Sequence, residues 1–120
     1  METSITRRYR FAAAHFLPKV PDGHKCKRMH GHNYELEVTI IDDVSQSGFI
    51  IDFWDLDKII SQLIELVDHR TLNDIDGLEN PTAELIAEWF VSKIMTHWPE
   101  LGLNRVRIYE ERDCWADVSI

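Results

Sequence analysis

Cysteine is scarce in this sequence, and long apolar runs are absent from it. Cys26 and Cys114 are the only cysteines among 120 residues, which is too few for a disulfide framework and indicates a reducing, cytoplasmic setting. No apolar stretch approaches the roughly 20 residues that a membrane-spanning helix requires, and the first residues lack the apolar core of a signal peptide. We therefore expect a protein without a membrane partner.

An excess of positive charge is also missing. The formal net charge is −8, from 13 basic and 21 acidic residues, and this argues against nucleic acid as the main partner. Residues 1–28 are the exception, because they contain seven basic and two acidic residues and carry a net charge of +5, which leaves −13 for residues 29–120. A basic segment suits an anionic substrate such as a phosphate ester, although a solvated basic strand face has the same composition.

Hydrophobic periodicity predicts one α+β domain over residues 1–120. Four segments alternate between apolar and polar residues, as strands do; these are residues 5–14, 32–41, 104–110 and 114–119. Two segments have the apolar spacing of helices; these are residues 54–68 and a stretch that begins at Asn80-Pro81 and ends before Pro99. Asn80 is the expected N-cap and Pro81 the first helical residue. The order β-β-α-α-β-β predicts an antiparallel four-stranded sheet with both helices on one face.

Three histidines are candidate metal ligands. His30 and His32 are two residues apart at the start of the second strand, so their side chains point to one face, and His15 continues the inward parity of the first strand. Three imidazoles would leave one coordination position open, which is typical of catalytic zinc. Two alternatives remain: inward histidines can be core residues that bond within the protein, and His24 in the loop can be a ligand instead.

Cys26 is a candidate thiolate. It lies four residues before His30, among Lys25, Lys27 and Arg28. Neighbouring positive charge and a nearby metal favour the thiolate, which can act as a base or a nucleophile. A loop cysteine without a role would have the same local sequence. Cys114 lies in a predicted strand, where we expect a packed thiol.

Asp68-His69 places a carboxylate beside an imidazole at the end of the first predicted helix. Such a carboxylate can orient the imidazole and tune it as a proton carrier. The alternative is a histidine that meets the negative end of the helix dipole.

Glu110 is a carboxylate in an apolar register, since it shares the inward parity of Val106 and Ile108. An inward carboxylate needs a partner. A ligand with two adjacent N–H donors, such as the edge of a pterin or a guanine, would bind it at two points, and so would an arginine of this protein.

Together these motifs resemble the 6-pyruvoyltetrahydropterin synthase family along nearly the whole chain. The resemblance rests on Phe11-Ala12-Ala13-Ala14-His15, the segment from Gly23 to His32, Gly48 with Asp52-Phe53, Asp68-His69 with Leu72-Asn73, the segment from Asn80 to Glu84, and Glu110 five residues before Trp115. A cysteine four residues before the first histidine of His-Gly-His is similar to the branch of the family that forms carboxytetrahydropterin.

The resemblance implies the tunnelling fold (T-fold), a homohexamer of two stacked trimers, and active sites at subunit interfaces. It also implies site residues with three roles: zinc ligands His15, His30 and His32, a proton-transfer group of Cys26, Asp68 and His69, and pterin contacts from Glu110 and Thr82.

The activity that the resemblance implies is conversion of 7,8-dihydroneopterin triphosphate to 6-carboxy-5,6,7,8-tetrahydropterin, acetaldehyde and triphosphate in queuosine biosynthesis. Three alternatives stay open. They are the pyruvoyl-forming reaction of the same family, a non-catalytic pterin- or purine-binding protein, and a structural zinc protein in which His24 or Cys26 supplies a fourth ligand.

Overall fold

A computed structural model describes residues 1–120. Four strands form one antiparallel sheet in chain order; they are β1 (Thr3–His15), β2 (His30–Asp42), β3 (Leu103–Glu111) and β4 (Cys114–Ser119). Helices α1 (Phe53–Ile64) and α2 (Ala83–His97) connect β2 to β3. The predicted α+β order and the antiparallel sheet are confirmed. No helix is both long and apolar enough to cross a membrane.

The helices pack against one face of the sheet, which we call the inner face. Its alternating residues are fully or nearly fully buried; among them are Phe11, Tyr34, Leu36, Val38, Val106 and Ile108. The helices complete this core with Leu56, Ile60, Leu63, Ile86, Phe90 and Ile94. Each such side chain contributes roughly 1.5–3 kcal/mol when it leaves water, so the apolar parity of the strands fixes which side chains face inward.

The opposite, outer face carries an ionic cluster, which we call the outer-face network: Arg8, Glu37, Arg105, Arg107, Tyr109 and Asp117. Arg8, Arg105 and the Tyr109 hydroxyl all donate hydrogen bonds to the Glu37 carboxylate. Arg107 donates to both oxygens of Asp117, at 2.7 and 2.9 Å. These side chains cover Glu37 on the outer face. Glu37 is therefore buried, although the alternation of β2 places it on the polar face.

The structure corrects two predicted helix boundaries. The first helix ends at Ile64 rather than residue 68, so Asp68 lies beyond it. The second helix is capped by Thr82, whose Oγ1 accepts a hydrogen bond from Leu85 N at 3.2 Å, and not by Asn80. Pro81 therefore precedes the helix, and its carbonyl is free to turn toward the end of β1.

Two burial predictions also change. Cys114 is exposed rather than packed, because it is the first residue of the edge strand β4, directly after the β3–β4 turn. The sequence predicts that Ala83, Ile86, Ala87, Phe90 and Ile94 form the apolar stripe of α2, but Trp89 and Val91 are buried as well. A wider part of the α2 surface is therefore buried than the sequence pattern indicates.

Candidate metal centre

The three histidines come together where β1 and β2 end side by side. His15 pairs with His30 and Ala13 with His32 in the strand register, so the imidazoles share the inner face. Their ring centroids are 4.6 to 5.1 Å apart, and one ligand atom from each lies within 4.8 Å of the other two. His15 is fully buried and the other two are partly buried.

The hydrogen bonds of His15 and His30 direct two lone pairs at each other. His15 Nδ1 lies 2.9 Å from the Pro81 carbonyl oxygen, and His30 Nδ1 lies 2.7 Å from that of Arg28. Since a carbonyl oxygen only accepts, both Nδ1 atoms donate, and each neutral ring keeps its lone pair on Nε2. The two Nε2 atoms are 3.0 Å apart. Two lone pairs at this distance repel each other, and a cation shared between the rings would remove the repulsion.

His32 adds an unpartnered nitrogen to this pair. Its Nε2 is buried and forms no hydrogen bond, although Oε1 of Glu110 lies 3.2 Å away at an unfavourable angle. Burial lowers the pKa of His15, so the neutral, ligating form of that ring is favoured. Three imidazoles whose ligand atoms converge in this way fit zinc, whose catalytic sites use three protein ligands and keep a fourth position open.

Tyr34 forms the floor of the centre. Its hydroxyl lies 3.1 Å from His15 Nδ1, its ring stacks on Phe11 at 5.0 Å, and the side chain is fully buried. Burial raises the pKa of Tyr34 far above its ordinary value, so the phenol stays protonated. It packs beneath the imidazoles as a neutral group.

Glu110 lies at an irregularity of β3, where the pairing with β4 shifts register between Tyr109 and Glu111. Its carboxylate is partly buried beside His32 and forms no ion pair with any arginine of the chain. Of the two partners that the sequence allowed, an arginine of this protein is therefore not the one observed. The carboxylate remains available to a ligand at the centre.

Asp68 and His69 lie close together outside the histidine cluster. His69 Nδ1 is 2.9 Å from Asp68 Oδ1, and the same oxygen accepts a hydrogen bond from Ala12 N at 3.0 Å. The Ala12 N–H and then the His69 ring hold the pKa of Asp68 below its ordinary value, so the carboxylate stays charged. His69 is exposed and has a left-handed backbone, with φ of 58°.

The chain after this pair runs along the outer edge of β1, and we call residues 68–73 the edge clamp. His69 N donates to the Ala12 carbonyl at 2.6 Å, and Ala14 N donates to the Arg70 carbonyl at 3.0 Å. At the far end, the Asn73 side chain bonds both backbone groups of Phe16. Together with His32, parts of the clamp line an open cleft of about 460 Å³.

Cys26 lies in a short 3-10 turn, Lys25–Lys27, and His24 is the N-cap of this turn. His24 is exposed, and its Nδ1 accepts from Cys26 N at 3.0 Å, so this ring caps the turn and lies outside the histidine cluster. The Cys26 thiol is partly buried, and no hydrogen bond joins it to the three histidines or to Asp68 and His69. Within one chain, the structure places Glu110 beside His32, whereas Cys26, Asp68 and His69 form no hydrogen bond with the three histidines.

Thr82 follows Pro81, so it is one residue from the carbonyl that orients His15, and its hydroxyl already caps α2.

Sequence reasoning missed the groups that hold these side chains, namely the carbonyls of Pro81 and Arg28 and the backbone of Ala12. No residue pattern points to a backbone group. Asn73 was part of a recognised motif, but the sequence gives no sign that it reaches Phe16.

A family model described as 6-pyruvoyl tetrahydropterin synthase matches residues 4–119. A 6-carboxy-5,6,7,8-tetrahydropterin synthase of Synechocystis is 38% identical over 112 residues, which are 88% of this chain and 84% of the relative. A dihydroneopterin monophosphate aldolase of Pyrococcus furiosus is 33% identical over 120 residues, 99% of each chain. The solved 6-pyruvoyl tetrahydropterin synthase of Caenorhabditis elegans superposes with a TM-score of 0.89 at 27% identity, covering 100% of this chain and 96% of that one.

Proposed function

Because the chain belongs to the 6-pyruvoyl tetrahydropterin synthase family, we propose that it is a zinc-dependent carbon–carbon lyase of queuosine biosynthesis. Its substrate would be 7,8-dihydroneopterin triphosphate, and its products 6-carboxy-5,6,7,8-tetrahydropterin, acetaldehyde and triphosphate. Triphosphate leaves by elimination together with its ester oxygen, and one water supplies the second carboxylate oxygen when the bond between the first and second side-chain carbons breaks. The two electrons that the side chain loses reduce the dihydropterin ring to the tetrahydro form, so no external oxidant is needed. The observation that carries this proposal is the pair of Nε2 lone pairs that face each other at 3.0 Å beside an unpartnered His32 nitrogen.

His15, His30 and His32 would hold the metal. When bound, zinc supplies a Lewis acid that polarises the hydroxyls of the substrate side chain and lowers their pKa. The carbonyls of Pro81 and Arg28 keep the ligating rings in the required tautomer. The Tyr34 ring supports the rings from below without adding charge.

Cys26, Asp68 and His69 would move the protons. The Cys26 thiolate removes a proton from the side-chain carbon, and the His69 imidazole, held by the charged Asp68, acts as the partner acid or base. A thiolate with this role needs a reducing compartment, and for that reason we place the enzyme in the cytoplasm. His69 Nδ1 and Asp68 Oδ1 lie 2.9 Å apart, which supports the use of the two side chains as a unit.

Two subunits would contribute to each site, in a homohexamer of two stacked trimers. The outer edge of β4 has no neighbouring strand, and the edge clamp covers β1 only near its end. Pairing β4 of one subunit with β1 of the next would cover both edges, which otherwise present free N–H and C=O groups. It would also explain why no hydrogen bond joins Cys26 to Asp68 or His69 of its own chain.

Glu110 would bind the pterin ring through its two adjacent N–H donors, with Thr82 as a further contact. The carboxylate lies beside His32, whereas the backbone of Arg28 is bonded to His30. The two ends of the substrate would therefore lie on opposite sides of the metal.

The phosphate end would be held by Lys25 and Arg28. Four of the seven basic residues in residues 1–28 are paired with carboxylates; these are Arg7, Arg8, Arg10 and Lys27. Lys19, Lys25 and Arg28 have no such partner. Lys25 is the first residue of the turn that contains Cys26, and the Arg28 carbonyl accepts a hydrogen bond from His30. These two cations are therefore the ones that we assign to the phosphate.

Product analysis tests this function. Zinc-loaded protein is incubated with 7,8-dihydroneopterin triphosphate, and the products are identified by mass spectrometry and an acetaldehyde assay. We expect carboxytetrahydropterin and acetaldehyde in equal amounts. Pyruvoyltetrahydropterin would instead identify the other synthase activity of the family, and unchanged substrate bound to the protein would identify a pterin-binding protein.

A second candidate is cleavage of a dihydroneopterin phosphate by an aldolase reaction. It is favoured by the relative from Pyrococcus furiosus, whose match covers 99% of both chains. A retro-aldol cleavage leaves the phosphate on the released two-carbon aldehyde, whereas the synthase reaction frees triphosphate. Incubation with the monophosphate and the triphosphate separates the two reactions, because a phosphorylated aldehyde appears only in the first.

A further inference from the structure

The junction between β1 and the following loop joins two groups of the proposed site. His15 is the last residue of β1, and the loop that starts at Phe16 leads to the turn with Cys26. The N–H of Phe16 belongs to the peptide bond that it shares with His15. Its C=O belongs to the next peptide bond, whose N–H, on Leu17, donates to the Cys26 carbonyl at 2.8 Å.

The Asn73 side chain holds both of these peptide bonds. Its Oδ1 accepts from Phe16 N at 3.0 Å, and its Nδ2 donates to the Phe16 carbonyl at 2.8 Å and to the Glu79 carbonyl at 3.4 Å. The amide thus pairs with Phe16 as a neighbouring strand would. Leu72, next to it, is fully buried and fixes this end of the edge clamp in the core.

We propose that Asn73 is a positioning residue for the metal ligand His15 and for Cys26. The amide sets the plane of the peptide after His15, and through the next peptide it reaches the Cys26 carbonyl by two successive bonds of 2.8 Å. The other end of the same clamp carries Asp68 and His69. One edge of β1 therefore sets the relative position of the ligand, the thiol and the acid–base pair; this role rests on the proposed function of these groups.

The test uses two readouts that need no substrate. The first is zinc affinity, measured by competition with a chromogenic chelator, and the second is the alkylation rate of Cys26 by iodoacetamide in a Cys114→Ser background. For Asn73→Ala we expect zinc affinity to fall by about 10- to 100-fold, as for other groups that orient metal ligands, and the alkylation rate to change. Asn104→Ala is the matched control, because Asn104 lies at the far end of β3 and its side chain forms no hydrogen bond.

Asn73→Asp separates the two bonds and serves if the alanine variant does not fold. The carboxylate can still accept from Phe16 N but cannot donate to the Phe16 carbonyl. We expect zinc affinity close to that of the wild type and an altered alkylation rate. If both variants change only the stability of the metal-free protein, while zinc affinity and the alkylation rate stay at wild-type values, Asn73 only stabilises the fold and the proposal is wrong. Absence of pterin turnover would count against the proposed function and leave these two results intact.

Discussion

The sheet carries one polar cluster on each face, and the two clusters differ in whether their polar groups have hydrogen-bond partners. In the outer-face network, two guanidinium groups and a tyrosine hydroxyl all donate to Glu37. On the inner face, the Nε2 atoms of His15 and His30 face each other at 3.0 Å, and that of His32 has no hydrogen bond. Buried groups that are paired stabilise a fold, whereas converging groups without a partner indicate a ligand.

The largest expected effect comes from removing one of the two ligands that face each other. His30→Ala should abolish zinc binding and lower kcat/KM on the order of 10³-fold or more, because the metal supplies several kcal/mol of transition-state stabilisation. Metal content by atomic emission and steady-state kinetics measure both. The metal-free variant should be at least as stable as the metal-free wild type, since one of the two facing lone pairs is gone. A less stable metal-free variant would place His30 among the structural groups.

The next effect sharpens the role of the groups around the metal. Cys26→Ala should retain one zinc per chain and lose about 10²- to 10⁴-fold in kcat, the usual contribution of a positioned proton-transfer group. Cys26→Ser is the control that keeps the size of the side chain, and its activity should be low as well. Loss of zinc in the alanine variant would instead identify Cys26 as a metal ligand.

The outer-face network should show the reverse behaviour. Glu37→Gln removes the charge that two arginines share, so the free energy of unfolding should fall by about 2 kcal/mol, measured by urea denaturation of the metal-free protein. Zinc content and kcat should stay at wild-type values, because the network lies across the sheet from the centre. A change in zinc content at equal protein concentration would show that the outer-face network also affects metal binding, and the contrast between the two faces would then be wrong.

A smaller effect is expected for the cations that lack partners. Arg28→Gln should raise KM for the triphosphate substrate about 10-fold and leave kcat nearly unchanged, because a charge-assisted contact is lost. Lys58→Gln removes the same charge from α1, where Lys58 Nζ lies 3.8 Å from Asp55 Oδ1. Asp57, the preceding residue, bonds Tyr9, which is about 20 Å along β1 from His15. This control should keep the wild-type KM. Equal effects of both substitutions would indicate only a loss of overall charge.

The smallest effect is a pH dependence of stability. Burial alone would raise the pKa of Glu37, but the hydrogen bonds from Arg8, Arg105 and Tyr109 outweigh it and hold the pKa below the unfolded value of 4.5. The stabilisation is therefore complete above pH 4.5 and is lost as the pH falls through the folded pKa. Urea denaturation at several pH values should show a constant gap between wild type and Glu37→Gln above about pH 5, and a shrinking gap in more acidic buffer.

Most of what could be predicted from the sequence followed from the alternation of side chains along the strands. It put His15, His30 and His32 on one face, and it set Glu110 apart from the carboxylates around it. The order of elements was equally accessible, since apolar periodicity distinguishes strands from helices. These features depend on residues close in the chain, where the sequence pattern and the backbone geometry are directly related.

The groups that hold the site could not be predicted, because they act over long separations and through the backbone. The Pro81 carbonyl turns toward His15 only because the N-cap of the helix is Thr82, two residues later than the Asn-Pro signal indicates. Asp68 contacts the Ala12 backbone because α1 ends at Ile64 and leaves a turn that reaches β1. Each contact follows from packing of elements far apart in sequence.

The left-handed backbone of His69 has a consequence for selection experiments. A non-glycine residue in this region is destabilised by roughly 1 kcal/mol relative to glycine. A library randomised at this position and sorted for thermal stability alone should therefore be enriched in glycine and asparagine, whereas sorting for turnover should return histidine. The difference between the two populations would measure how strongly the proposed chemistry, rather than the fold, maintains this residue.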